Sequence, residues 1–484
     1  MRKCPLAVGK MPSAGGHDAH LNGGHDAHPN GGHFHLKGST LFSSLKKMFF
    51  GNKADTTAPS QRNGEHSLPP AAAPGGSMSF LCREAVFDRK NRLAGHLFFL
   101  QGSTPQANAD SGLQREFDEG LLGTLNASPE AWNTSLAMLP LSSANLDLPS
   151  LDRLKTTNVV LLVQLTDDAE PLALAARLEE LRGRGLSIGI FRQPKNPAFT
   201  ESILRADYGV IDVGSNEATA IRDFSVAFRA NDMGHPVHLL GSNIETLDDH
   251  RLCHQWHFDY FHGKFAATAQ HPDEAGADPH KVQLLHLLRL VQGEAETAEI
   301  AEAMKQDPLL AFRILRYLNS AAIGLDHRID SLGQALIILG RQRLTRWLSV
   351  LLFSVRDPNF GDWLLVESAL TRGRLMEELG SRSTPEQPHD PLFLTGIFSC
   401  LDRLLRRPLA EVLDDMPLSE DVRAALLKRS GPYAALLAVA EASDAFDLQR
   451  MELAARAAGI EPEAVNRALL AATAWASEVT EHWE

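Results

Sequence analysis

Six histidines near the start of the chain have a spacing that could hold a metal. GGHDAH occurs at Gly15–His20 and again at Gly23–His28, and Gly31-Gly32-His33-Phe34-His35 follows. Neutral imidazoles from His17, His20, His25, His28, His33 and His35 could chelate zinc, nickel or copper, with Asp18 and Asp26 assisting. The same stretch also reads as a solvated low-complexity tail, since a glycine-rich chain gives up ordering entropy when it chelates. His389-Asp390 is a second tempting pair, but Pro391 follows it and no spaced His or Asp partners accompany it, so it reads as a loop dipeptide. Cys4, Cys82, Cys253 and Cys400 lie far apart without CxxC or finger spacing, which excludes a disulfide scaffold or an ordinary structural zinc site. No phosphate loop, nucleophile elbow, H-E-x-x-H helix or strand-anchored G-x-G-x-x-G is present.

A short apolar island follows the histidines. Leu41–Phe50 (LFSSLKKMFF) puts Leu41, Leu45, Met48 and Phe49 on one helical face, with Lys46 and Lys47 beside them and Lys37 and Lys53 flanking. Such a segment can lie reversibly on an anionic membrane, fit a partner's groove, or dock on its own chain. Residues 1–78 hold eight Lys/Arg against four Asp/Glu, a net of +4, whereas the whole 484-residue chain carries −13. Twelve glycines and seven prolines make this head too poor in apolar surface to fold, so it is expected to be disordered. The acidic remainder argues against a nucleic-acid partner. No apolar run reaches the roughly 18–20 residues of a spanning helix, and no signal peptide is evident, so a cytoplasmic protein is expected, with peripheral inner-membrane contact through 41–50.

The elements that must position any chemistry fall into two bodies. Eight strand candidates run from Phe80 to Phe265: Phe80–Asp88, Leu93–Gln101, Ser135–Ser142, Asn158–Thr166, Leu186–Arg192, Tyr208–Val213, Pro236–Leu240 and Phe258–Phe265. NVVLLVQL in the fourth is almost continuously apolar, as a strand covered on both faces would be. Helical patterns lie between, at Pro171–Arg182 and Glu217–Ala230. The span is shorter than the roughly 250 residues of a (β/α)8 barrel, so shrunken helices are expected. Gln270–Pro279 is a polar linker, and after it the pattern is helical throughout. Asp307-Pro308 supplies an N-cap and a first-turn proline, Ser331 with Gln334 a capping box, and Gly340 a stop. One helical stretch is read over Phe393–Leu405.

KQDPLLAFRILRYLNS at Lys305–Ser320 followed by IDSLGQALIILG at Ile329–Gly340 resembles the opening of an HDOD domain. That family is a bundle of five or more helices related to HD phosphohydrolases. The upstream body resembles the degenerate EAL domain of EAL–HDOD signalling proteins, through FLCREAVFDRKNRLAGHLFFL at Phe80–Leu100, YGVIDV at Tyr208–Val213, Ile244-Glu245-Thr246, and FDYFHG at Phe258–Gly263. The resulting layout is a disordered head over 1–78, a shortened, barrel-like α/β domain over 79–269, a linker over 270–279, and an all-α domain over 280–484.

An active EAL domain hydrolyses cyclic di-GMP with two divalent metals held mainly by carboxylates. At the positions the resemblance assigns to that machinery, this chain has His96 for the first glutamate, Leu100 for the arginine and Pro140 for the asparagine. Gln164 and Asp167 stand for the glutamate pair, and Phe191 and Arg192 for the double aspartate. Val210 stands for the lysine, a position near Ser242 for a further glutamate, and His262 for the last glutamine. Asp212 and Glu245 match. The helical domain fails alike, with Ser399 and Cys400 where HD enzymes place His-Asp. Cys400 reads as a buried small hydrophobe. No cofactor or folded-domain metal is therefore expected, and the reading is a non-catalytic regulatory protein that binds other regulatory proteins, with Arg313 and Arg316 as candidate surface residues. The alternatives are weak cyclic di-GMP binding without cleavage, using Arg192 and Arg205, and a residual metal-dependent phosphodiesterase.

Overall fold

A computed structural model describes residues 79–102, 111–128, 135–154, 158–230, 235–268, 279–293, 295–319, 329, 331–354, 358–383, 389–414 and 416–481. The head, with its histidines and the 41–50 segment, and linker residues 270–278 lie outside them.

Eight strands close into a barrel in sequence order: β1 Ser79–Asp88, β2 Leu93–Gly102, β3 Leu136–Ser142, β4 Val159–Gln164, β5 Ser187–Phe191, β6 Tyr208–Asp212, β7 His238–Ser242 and β8 Tyr260–His262. Strand β1 runs antiparallel to both neighbours, and the other adjacent pairs are parallel. The β1–β2 hairpin is set by its turn. Asp88 Oδ1 accepts from the Lys90 and Arg92 amides, and Asn91 adopts the left-handed conformation at φ 59°. Gly95 is required where β2 meets β3, because a Cβ there would stand 2.1 Å from the Leu136 carbonyl oxygen. Val86, Leu97, Met138, Val160, Leu162 and Val210 fill the interior. Interstrand helices are α1 Ser111–Asn126, α2 Pro171–Gly183, α3 Phe199–Ile203, α4 Ala218–Ala230, α5 Leu247–Gln255 and α6 Phe265–Thr268. As the short span implied, some are small: α3 has five residues and α6 four.

The remainder is helical: α7 Pro279–Gln292, α8 Thr297–Lys305, α9 Pro308–Leu318, α10 Leu332–Leu352, α11 Phe360–Ser383, α12 Asp390–Phe398, α13 Leu401–Leu405, α14 Leu409–Asp414, α15 Glu420–Arg423, α16 Ala434–Asp444, α17 Leu448–Ala458 and α18 Pro462–Glu481. Asp307 Oδ1 accepts from the Leu310 amide and Ser331 Oγ from the Gln334 amide, so both caps form. Gly340, at φ 75° and ψ 159°, breaks α10 into two segments. The stretch expected as one helix over Phe393–Leu405 is interrupted, since α12 ends at Phe398 and α13 starts at Leu401. Among the described residues no helix is long and apolar enough to cross a membrane.

Helix α11 is the spine of the helical domain, packing on α12, α16 and α18. It crosses α12 where Gly396 faces Arg372 and Gly373; a Cβ on Gly396 would lie 2.5 Å from the Arg372 oxygen. Its first residue, Phe360, enters an aromatic group on the barrel's outer face, with ring centroids 4.9 Å from Phe87 and 5.1 Å from Phe265. The last helix, α18, seals the other end of β1. Asn466 Oδ1 accepts from the Leu81 amide at 2.8 Å, and its Nδ2 donates to the Ser79 carbonyl at 3.2 Å. A side-chain amide thus serves the free edge of β1 as a neighbouring strand would. Replacing this buried residue by Asn466→Ala leaves the Leu81 N–H without that acceptor, and urea unfolding should show a loss of about 1–3 kcal/mol.

Candidate functional site

The C-terminal ends of the parallel strands form the barrel mouth, where such barrels carry their chemistry. Alternation along each strand decides what points there. On β2 the inward residues are Leu97 and Phe99. His96 and Leu100, assigned above to the glutamate and arginine positions, share the opposite face and are buried outside the barrel. The position facing the mouth is therefore Leu97, which corrects the assignment of His96; a leucine offers a cation nothing. By the same alternation Pro140, Gln164, Phe191, Val210, Asp212, Ser242 and His262 fall on the inward register.

The polar groups left in the mouth bond to one another. Glu84, inward on β1, is held by His262 Nε2, and Ser242 Oγ lies 3.3 Å from His262 Nδ1. The hydrogen bond from His262 keeps the Glu84 carboxyl below the ordinary range despite partial burial, with the charges of His262 and Lys264 adding to it. Asp212 accepts from the Ser215 amide at 3.1 Å, the Ser215 hydroxyl at 2.9 Å and Asn243 Nδ2 at 3.2 Å. Arg192 follows β5 at the mouth and donates to Asn216 Oδ1 at 3.1 Å. Arg205 precedes β6 at the opposite end and is tied to Glu201, so the two arginines considered for phosphate contacts do not share a site. Glu245 and Asp167 are exposed.

Two hard cations would need several convergent carboxylates. Among the described residues no group of three or more His, Cys, Asp or Glu is placed to hold a metal ion. The residues present do not fit the two-metal centre that an EAL-type mouth implies.

In the helical domain, Ser399 and Cys400 sit between α12 and α13. Ser399 Oγ donates to the Gly396 carbonyl at 2.7 Å and accepts from Arg372 Nη1 at 3.0 Å. Cys400 is fully buried, and burial pushes its thiol up. Arg372 also donates from Nε to Asp444 Oδ2 at 2.6 Å. Burial opposes its charge, but Asp444 more than offsets this and holds the guanidinium firmly protonated. A fixed organic cation thus stands beside Ser399 and Cys400. His389-Asp390 is not a loop dipeptide: Asp390 opens α12, with Pro391 in its first turn, and pairs with Arg346 at 3.3 Å. Arg313 and Arg316 fall on α9, and their side chains lie outside the described ones.

The strongest polar cluster was not singled out from sequence. Arg83, outward on β1, donates from Nε to Glu367 Oε1 and from Nη2 to Asp444 Oδ1, both at 2.9 Å. His96 Nε2 lies 2.9 Å from the same Glu367 oxygen. Arg83, His96 and Glu367 are all buried. The available signals were an arginine in the apolar run of β1 and a glutamate inside WLLVESAL of α11. Burial alone would raise the Glu367 carboxyl; the charges of His96 and Arg83, with their hydrogen bonds, outweigh it and hold the group at about 2.

Residues 279–418 match the family model described as the HDOD domain. Over 412 residues the chain is 23% identical to the cyclic di-GMP phosphodiesterase CdgJ of Vibrio cholerae, spanning 83% of this chain and 93% of that protein. It is also 23% identical over 366 residues to the uncharacterized protein YuxH of Bacillus subtilis, spanning 74% and 88%. Solved structures similar to it include the Bacillus subtilis YkuI protein, with an EAL domain, in complex with substrate c-di-GMP and calcium (TM-score 0.32, 14% identity, 50% of this chain and 73% of that one). Another is the PaMucR phosphodiesterase c-di-GMP complex (TM-score 0.30, 16% identity, 38% and 89%).

Because Glu367 titrates lower when folded than its ordinary value of 4.5, its contribution is complete above about pH 4.5 and disappears as pH falls toward 2. Urea unfolding across this window should show the wild type losing stability more steeply than Glu367→Gln. At neutral pH the variant should unfold about 3 kcal/mol more easily, since Arg83 and His96 stay buried with one partner neutralised.

Proposed function

We propose that this chain, whose residues 279–418 form an HDOD domain behind an EAL-like barrel, is a non-hydrolysing regulatory protein of cyclic di-GMP signalling that acts by binding other regulatory proteins. The observation that carries this reading is the mouth. Its inward positions hold Leu97, Pro140, Gln164, Phe191, Val210 and Ser242, while the carboxylates there, Glu84 and Asp212, are occupied by hydrogen bonds from their own chain. Two carboxylates, each engaged by internal donors, are too few to hold two hard cations and activate water between them. In the helical domain the buried Arg372 beside Ser399 and Cys400 adds a positive charge that would disfavour a cation there, which supports the same reading.

The second reading, that cyclic di-GMP is still bound, draws on the relative named as a cyclic di-GMP phosphodiesterase, which matches along most of both chains. Arg192 is a described candidate at the mouth for a phosphate contact.

Incubating purified full-length protein with cyclic di-GMP and Mg or Mn should give no linear dinucleotide above the buffer rate over a day. Turnover abolished by Asp212→Asn would overturn the proposal. Titration calorimetry with cyclic di-GMP separates the two readings: a flat trace at high micromolar ligand leaves protein association alone, and heat lost in Arg192→Ala supports retained binding.

A further inference from the structure

We propose that residues 41–50 dock in cis into a cleft beside the barrel mouth, formed by the segments after β3 and β4 and the first turn of α2. The inference is independent of the fate of cyclic di-GMP. The cleft measures about 290 Å³, the lower edge of small-molecule sites, and suits one or two large side chains better than a dinucleotide. Leu146, Ala169 and Leu174 make its floor and Asp147, Asp168 and Glu170 its rim, while Arg177, which also lines it, is paired with Asp152 and Glu180. Beside it, Leu172 in the first turn of α2 is 73% exposed, so the apolar surface continues past the cleft. Asp147 is paired with Arg115 and Glu170 caps the Ala173 amide, while Asp168 makes no ion pair among the described residues.

LFSSLKKMFF complements this surface twice over. Leu41, Leu45, Met48 and Phe49 supply an apolar face, and Lys46 and Lys47, with Lys37 and Lys53 flanking, supply charge opposite to the rim. The chain's path also favours it. Because β1 runs against the parallel strands, Ser79 pairs with Gly102 at the C-terminal end of β2, the same end as the cleft. Strands β3 and β4 lie two and three places from β1, about 10–15 Å away. The intervening segment 51–78 is 28 residues long, and a flexible tether of that length reaches about 30 Å. Tethering at that distance gives an effective concentration in the millimolar range, so a weak contact suffices.

Hydrogen exchange on the full-length protein tests this. Amides of 143–147 and 172–176 should exchange about tenfold more slowly in the wild type than in the double variant Leu45→Asp, Phe49→Asp. Lys46→Glu with Lys47→Glu should weaken the protection, and adding Asp168→Lys should restore it. All these substitutions fall in the head or at an exposed side chain, and circular dichroism checks that the folded body is intact. Equal exchange in every variant would overturn the proposal. So would protection that rises with protein concentration, which would mean a second copy, or protection that appears only with phosphatidylglycerol vesicles.

Discussion

The arrangement of the two bodies depends on Arg83, whose guanidinium is shared between Glu367 of α11 and Asp444 of α16 with almost no water around it. Buried ions of this kind are tolerated only when every partner is present, because an unpaired charge in a low-dielectric interior is far costlier than a lost surface ion pair. The contact therefore fixes where the helical domain sits more than it adds stability. Aromatic packing supplies the second point. Phe360 and Glu367 are seven residues apart on α11, about 10 Å along the helix, and their partners Phe87 and Arg83 are four residues apart on β1, about 13 Å along the strand. Both contacts are satisfied together only in one register of helix on strand.

The same economy of partners describes the barrel mouth and the turn after α12. In the mouth, His262 stands between Ser242 and Glu84, and Asp212 is bound by Ser215 and Asn243. Beneath α12, Arg372 is satisfied by Asp444 and Ser399. Charges taken out of water must find donors or counter-ions inside the protein. Around them stands the framework, eight strands and their helices, held by buried apolar side chains.

The strands were legible because each is either continuously apolar, as in β4, or bounded by turn residues such as Asp88 and Asn91. The caps at Asp307 and Ser331 and the stop at Gly340 were legible for the same local reason. The direction of a side chain was harder. His96 and Leu97 differ by one position, and strand alternation sends one to Glu367 and the other into the barrel. No local pattern reports that parity. Contacts such as Arg83 with Glu367, separated by 284 positions, leave only the faint mark of a charge within an apolar run. Asp390 was misread for the opposite reason: nearby prolines suggested a loop, whereas Pro391 fits the first turn of a helix.

The bond from Asn466 to Leu81 joins positions 385 apart, and this has a consequence for biosynthesis. A ribosome adding about 5–20 residues per second needs roughly 20–80 s to extend the chain from one to the other. Throughout that interval the Leu81 amide and the Ser79 carbonyl, on the stretch of β1 that β8 does not reach, lack this partner and are open to mispairing with neighbouring chains. Completion of the first strand's outer edge thus awaits the final helix, the last segment the ribosome makes of those described.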